Sequence, residues 1–290
     1  MNIALFGFGI SEDYYSDIEA IIHTLVHDTP HTISIYGSFA EKLHKKGFKT
    51  YGIAEYTEVA AESFDFVFSL GGDGTFLKCA HLFYKIEVPL VGINFGKLGF
   101  LADVMPEQIH TYLEKLEKKQ YTICTRTMLD YYSEFDTTIH GMALNEITVQ
   151  KSNNLKLIRL KISLNGSPVY SFWADGIIIS TPTGSTGYAL SLGGPIITPD
   201  SNTLAIVPIA PHSLTMRPLI VPDNSVIEIE AHGEFTDFFI SGDYKSQQVK
   251  ILPKLIIKKS MFNVFTVQFD DTSFFEILQN KLQLGLDVRK

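Results

Sequence analysis

The chain has 290 residues, 45% hydrophobic and 19% charged, with a formal net charge of −8. That composition excludes a disordered chain, and the acidic balance argues against nucleic acid or an anionic membrane as partner, because both attract basic surfaces. With two cysteines (Cys79 and Cys124), an opening MNIALFGFG that has no basic n-region and too short an apolar run for a signal peptide, and no apolar run of the ~18–20 residues that span a membrane, a soluble, reduced, cytoplasmic protein is the expectation.

The first third alternates strand and helix patterns. Residues 2–6 form a short apolar run that ends at Gly7 and Gly9, and Ile18, Ile21, Ile22 and Leu25 then recur at helical spacing. Thr32–Tyr36 reads as a second strand and 39–46 as a short helix. Residues 64–70 are a strand that runs into Gly-Gly-Asp-Gly-Thr at 71–75; 76–84 suit a buried helix and 88–93 another strand. Pro106 opens an amphipathic helix with Ile109, Tyr112, Leu113 and Leu116 on one face. Strands separated by helices imply an α/β domain with an open, mostly parallel sheet over residues 1–120.

Beyond residue 120 the helical periods fade. Short β-rich runs take over at 143–150, 157–164, 168–172, 177–181, 204–209, 225–232, 237–241 and 249–258. Asn165-Gly166 and Pro222-Asp223-Asn224 punctuate them as turns do. The expectation is an all-β, sandwich-like domain over 121–269. Residues 271–284 read as a final helix, so that 270–290 return to pack on the α/β domain.

Two clusters carry chemistry. In the first, Gly71, Gly72 and Gly74 allow close backbone approach, and with Thr75 they open a helix whose N–H groups suit a phosphate. Asp73 would repel a phosphate unless a cation or a hydroxyl stood between them. Its economical role is to accept a hydrogen bond from a hydroxyl that attacks phosphorus, as base or as orienter. The competing reading is a plain turn with Asp73 as helix cap. No GxxxxGK[ST] is present, and Glu12 stands where a dinucleotide fingerprint wants Gly or Ala, so Gly7-Phe8-Gly9 implies no hydride chemistry.

The second cluster is 175–196, DGIIISTPTGSTGYALSLGGPI. Thr183, Ser185, Thr186 and Ser191 offer hydroxyls, Tyr188 can stack on a flat ring, and Asp175 can take both hydroxyls of a ribose. Asn145-Glu146 interrupts the apolar run 143–149, either as a binding pair or as a satisfied Asn beside an exposed Glu. Residues 94–101, NFGKLGFL, follow a strand end, where open sheets bind ligands; Phe100 either closes over a base or packs in the core.

In order and spacing, GGDGT at 71–75, NFGKLGFL at 94–101, Asn145-Glu146, the 175–196 stretch and IAPHSLTMRPLIVP at 209–222 resemble the signature stretches of the NAD kinase family. The resemblance implies an ATP-dependent kinase that phosphorylates the 2′-hydroxyl of the adenosine ribose of NAD to give NADP. It implies Asp73 as proton acceptor, Gly74 and Phe100 beside NAD, Lys78 near a phosphate, and Asn145 and Glu146 on the ribose. Asp175 resembles an acid that reaches NAD from a neighbouring subunit. Thr186, Gly187, Tyr188, Ala189, Leu190 and Ser191 match the adenosine-contacting loop, and Ala210 a small residue beside adenine. Gly71, Gly72, Gly74 and Thr75 then serve the phosphates of ATP. Mg²⁺ or another divalent cation arrives with ATP, no protein metal site is expected, and the family tends to form homodimers or homotetramers. Ser241-Gly242-Asp243-Tyr244 departs from the Asp-Gly-Gln that many members carry at that place.

Two other readings compete. One is another GGDGT kinase with a lipid or sugar acceptor, against which the 175–196 stretch speaks. The other is a non-catalytic NAD(P) sensor, against which Asp73 speaks. His23 and His27, four apart on the first helix, read as plain helix surface, and Lys254, Lys258 and Lys259 as a solvated strand face.

Overall fold

The structure, a computed structural model, describes residues 1–50, 52–57, 64–96, 99–152, 156–232, 237–250, 254–270 and 273–284. The chain divides into two compact units, Met1–Thr125 with Val264–Lys290, and Arg126–Asn263.

The first unit begins with β1 (Asn2–Gly7), α1 (Tyr15–His27), β2 (Thr32–Tyr36), α2 (Gly37–Lys45) and β3 (Ala54–Tyr56). It continues through β4 (Phe66–Leu70), α3 (Asp73–Phe83), β5 (Leu90–Ile93) and α4 (Ile109–Glu117). The strands pair in parallel in the order β3-β2-β1-β4-β5. β4 is buried throughout and β1 nearly so, as strands covered by helices on both faces must be. α1 has no side-chain cap at its start, an omission that costs about 1 kcal/mol. Ile18, Ile21, Ile22 and Leu25 bury its inner face and contribute roughly 1.5–3 kcal/mol each, so packing holds this helix. The chain steps outward from β1 to β3 and returns to β4. That reversal leaves a crevice at the C-terminal ends of β1 and β4, the place where open α/β sheets bind ligands.

Next come β6 (Tyr121–Ser133), β7 (His140–Ala143), β8 (Glu146–Lys151), β9 (Ile158–Leu164), β10 (Ser167–Ala174) and β11 (Gly176–Ser180). Then follow α5 (Tyr188–Ser191), β12 (Thr203–Ile209), β13 (Leu219–Pro222), β14 (Ile227–His232), β15 (Phe238–Gly242) and β16 (Lys245–Val249). The chain closes with β17 (Leu255–Phe269) and α6 (Phe274–Leu282). Residues 264–269 of β17 belong to the first unit, where Thr266 pairs in parallel with Leu90; α6 belongs there too.

The second unit is β-rich. One antiparallel sheet runs β13-β12-β11-β8-β15-β16, and the other carries β10-β9-β14-β17 with antiparallel neighbours. Alternate residues of both fill one core: Ile147, Val149, Ile177 and Ile179 from the first, Leu160, Ile162, Ile227 and Ile257 from the second. β11 and β12 are buried on their other face as well. There Ile178, Ala205 and Val207 pack under Ala189 and Ile197. The 183–197 segment is thereby fixed against the sheet.

Several sequence expectations shift. β3, β6, β7, β13 and β16 go beyond the sequence reading and β17 extends well past the 249–258 run; β3, β6, β16 and β17 carry polar residues on partly exposed faces, and β13 is a four-residue strand ending in Pro222. The 143–150 run is broken at Leu144-Asn145 between β7 and β8. Residues 97–98 of the 94–101 stretch, 251–253 of the 249–258 run and 271–272 of the final helix lie outside the described residues. The lysine face is not simply solvated. Lys254 pairs with Glu228 at 2.7 Å, Lys259 with the buried Asp223 at 2.5 Å, and Lys258 lies over the Tyr132 ring.

Candidate active site

In the first unit, β4 delivers the chain to α3, whose first residue is Asp73 and whose cap is Gly72. The loop is stitched to its neighbours. The Gly71 N–H donates to the Ile93 carbonyl at 2.9 Å, and the Thr75 hydroxyl donates to the Phe8 carbonyl at 2.8 Å. The N–H groups of Thr75 and Phe76 close the first turn onto the Gly72 carbonyl. What remains for a ligand is the N–H set at Gly72–Gly74, of the kind every helix start leaves without an intrahelical partner. One turn further, the Lys78 ammonium lies 3.1 Å from the centroid of the exposed Phe8 ring, and Lys42 of α2 lies 4.4 Å from it.

Asp73 does not cap its own helix. Its carboxylate turns to the segment after β5. Oδ2 accepts from the Phe100 N–H at 2.9 Å, and Oδ1 accepts from Leu101 and Ala102 at 3.1 Å each. Asn94 shapes that segment, accepting from the Gly96 N–H and donating to the Ala102 carbonyl. Position 99 must be glycine for the same reason: a Cβ there would overlap the Asp73 carboxylate. Phe100 is half-buried rather than a core residue, and Lys281 of α6 covers its ring at 4.1 Å. The same ammonium lies 3.6 Å from Asp73 Oδ2.

In the second unit, β15 turns into β16 through Asp243-Tyr244, with Asp243 in the left-handed region at φ 52°. That turn aims the Asp243 carboxylate at the break between β7 and β8. It accepts from the N–H groups of Leu144 (2.7 Å), Asn145 (2.8 Å) and Glu146 (3.2 Å). Thr181 braces the other side, its N–H on the Asn145 carbonyl at 2.9 Å and its hydroxyl on the Leu144 carbonyl at 2.6 Å. Gly184 packs so tightly on Asn145 that a Cβ would overlap the Asn145 carbonyl. Asn145 Oδ1 and Glu146 Oε2 are buried without a hydrogen-bond partner, which contradicts the reading of a satisfied Asn and an exposed Glu. Burial, and secondarily the Asp243 charge, push the Glu146 carboxyl up to about 7. Buried polar atoms left unpaired in this way mark a place built for a ligand.

The 183–191 loop reaches the same end of the sheet, since Ser180 pairs with Glu146. Gly187 lies beside Glu146 Oε2 and Asn145 Nδ2. Tyr188 is 40% exposed, Ser191 is exposed and Leu190 half-buried, while the Thr186 hydroxyl donates to the Thr183 carbonyl. The Ala189 side chain is buried under the loop. Ser185 is wholly structural; its hydroxyl accepts from the Ile197 N–H at 3.0 Å and donates to the Pro182 carbonyl at 2.7 Å. Asp175 and Ala210 are elsewhere. Both lie at the opposite end of β11, where Gly176 pairs with Ile209; Asp175 bonds Lys151 at 2.5 Å and Ala210 is left-handed at φ 45°. Trp173, half-exposed, donates no core packing there; its carbonyl accepts from the His212 N–H.

His23 and His27 stack at 4.5 Å, and among the described residues no group of three or more His, Cys, Asp or Glu is placed to hold a metal ion. No helix among them is long and apolar enough to cross a membrane. Sequence reasoning missed Lys281 and the role of Asp243. The two-residue turn at 243–244 was a usable signal for Asp243; nothing marks Lys281 among the other helix lysines.

A glycine loop at a helix start, beside a fixed carboxylate and at the reversal point of a parallel sheet, is the arrangement of a nucleotide-binding α/β protein. Residues 22–121 match the sequence profile of the ATP-NAD kinase N-terminal domain, and 144–267 that of the ATP-NAD kinase C-terminal domain. NAD kinase of Flavobacterium psychrophilum is 40% identical over the whole of both chains, and that of Porphyromonas gingivalis 33% identical over 99% of each. Among solved structures, yeast NADH kinase complexed with NADH shares the fold at a TM-score of 0.89, with 23% identity over 100% of this chain and 89% of its own. An NAD kinase from Archaeoglobus fulgidus in complex with ATP gives 0.71, with 26% identity over 98% and 99%. The chain belongs to the NAD kinase family. It is an enzyme that transfers a phosphoryl group from ATP to NAD, which sets aside the lipid- or sugar-directed kinase and the non-catalytic sensor.

Proposed function

We propose that Asp73 receives the 2′-hydroxyl of the adenosine ribose of NAD, and that the γ-phosphate of ATP approaches along the start of α3. The carrying observation is the Asp73 carboxylate, locked by three backbone N–H groups beside that helix start. Phosphoryl transfer has a loose transition state, so alignment and charge neutralisation are what the protein supplies. Gly72 and Gly74 present N–H groups to the phosphates; Gly71 and Thr75 hold the loop in shape, and Lys78 adds a cation. Asp73 has three acceptor positions on backbone N–H groups and keeps the fourth for the substrate hydroxyl rather than for a divalent cation. The cation therefore enters as the ATP complex, and it neutralises phosphate charge when bound.

The unpaired Asn145 Oδ1 and the raised Glu146 carboxyl suit ribose hydroxyls, the first as acceptor and the second as donor or acceptor. Gly74 and Phe100 serve NAD from the first unit. Thr186, Gly187, Tyr188, Ala189, Leu190 and Ser191 form the nucleoside wall, with the Tyr188 ring as stacking surface. Asp175 and Ala210 lie at the far end of β11 from this wall. The five residues of β11 stand between, at roughly 3.3 Å each, or roughly 17 Å. Asp175 serves NAD held by a second copy, in a cytoplasmic homodimer or homotetramer, and Ala210 lies beside the adenine.

The test is Asp73→Asn. Turnover should fall ~10²–10⁴-fold while NAD still binds. Undiminished turnover would remove Asp73 from the reaction.

A further inference from the structure

Lys281 comes from the last helix of the chain, far from Asp73 in sequence, yet it touches both Asp73 and Phe100. A carboxylate offers about four acceptor positions. Three on Asp73 are filled by the N–H groups of Phe100, Leu101 and Ala102, and Lys281 faces the fourth. At 3.6 Å the ammonium is too distant for a hydrogen bond. Charge and the Phe100 ring hold it, and neither fixes it in direction. A substrate hydroxyl that bonds Asp73 must take the fourth position, and the ammonium must then find another anion within reach. The anion about to bond that hydroxyl oxygen is the phosphoryl group itself.

We propose that Lys281 is a catalytic cation that passes from Asp73 to the transferring phosphoryl group and stays on the 2′-phosphate of the product. The inference rests on the reading of Asp73 as facing the 2′-hydroxyl. In the step, the 2′-oxygen bonds the γ-phosphorus and the bond from phosphorus to the bridging oxygen of ATP breaks. ADP leaves with that electron pair, and the hydroxyl proton passes to Asp73 and on to water. Lys281 keeps its proton throughout and supplies only charge and a hydrogen bond.

Product binding separates this role from a structural one. NAD and NADP affinities are measured by calorimetry without ATP, for Lys281→Met, Lys281→Gln and Lys281→Arg, with circular dichroism as the check on folding. In the Met and Gln variants the NADP dissociation constant should rise about ten- to hundredfold, the loss of one charge-assisted hydrogen bond, while that of NAD holds within about twofold. Turnover should fall in parallel, and Arg should restore most of both. Equal weakening of NAD and NADP, or no change in either, overturns the proposal; if Met and Gln unfold, failure of the folded Arg variant to hold NADP does so. Asp73→Asn is assayed alongside. If it keeps full turnover, the reading of Asp73 is what fails; if it is inactive while the Lys281 variants bind NADP normally, only Lys281 is wrong.

Discussion

Replacing Glu146 by Gln should make the ligand-free protein more stable, and only above a definite pH. The Glu146 carboxyl sits at about 7 in the folded chain against 4.5 for the free side chain, because burial and the Asp243 charge disfavour its ionised form. Between those values the folded state holds a proton that the unfolded state has released. Stability from this group is therefore lost as pH rises from about 4.5, and the loss levels off above about 7. The gap corresponds to about 3 kcal/mol at about 1.4 kcal/mol per tenfold change in proton affinity. Over 290 residues, at about 2.1 cal/mol/K each, that is a melting shift of about 5 °C. Differential scanning calorimetry of wild type and Glu146→Gln from pH 5 to 8 gives the answer as a difference, so that groups common to both cancel. The variant should match the wild type near pH 5 and exceed it at pH 8. A difference that stays flat across the range refutes the argument that burial governs this carboxyl.

Asp243→Asn should lower the Glu146 carboxyl toward its ordinary range by removing a neighbouring charge, and flatten the pH dependence of melting; calorimetry in the same buffers checks it. It should also cost about 1–3 kcal/mol, because one of the three N–H groups it serves loses its acceptor. Gly99→Ala should cut turnover by more than about tenfold, since the new methyl displaces the Asp73 carboxylate, while a far-ultraviolet spectrum like that of the wild type shows the fold intact. Ser185→Ala should lower stability by about 1–3 kcal/mol in urea titrations through the stranded Ile197 N–H.

The fold was legible where side-chain periods are strong. β4 is apolar at nearly every position and α1 shows four apolar residues at helical spacing, so both announce themselves. β6 and β17 do not. Threonine, arginine, lysine and asparagine interrupt them because one face is partly exposed, and the two units change hands inside these strands rather than at a glycine- or proline-rich linker. The glycine loop and the 183–191 loop were legible because backbone-permissive residues cluster there. The partners of the key carboxylate were not. Asp73 binds N–H groups, which every residue carries, and Lys281 reaches it from the far end of the chain. The competing reading of Glu146 as a surface residue rests on alternation along a strand, whereas the strand begins only at Glu146 and Asp243 draws the preceding backbone inward.

Trp173 is the sole tryptophan of the chain, and it stands two residues before Asp175, half in solvent. Its emission is therefore a private signal from one end of β11. Anything that covers that end, such as another copy of the protein, should move the spectrum to the blue. A nucleotide that settles only against Tyr188 should quench tyrosine and leave the indole band in place, so a single cuvette can tell assembly from occupancy.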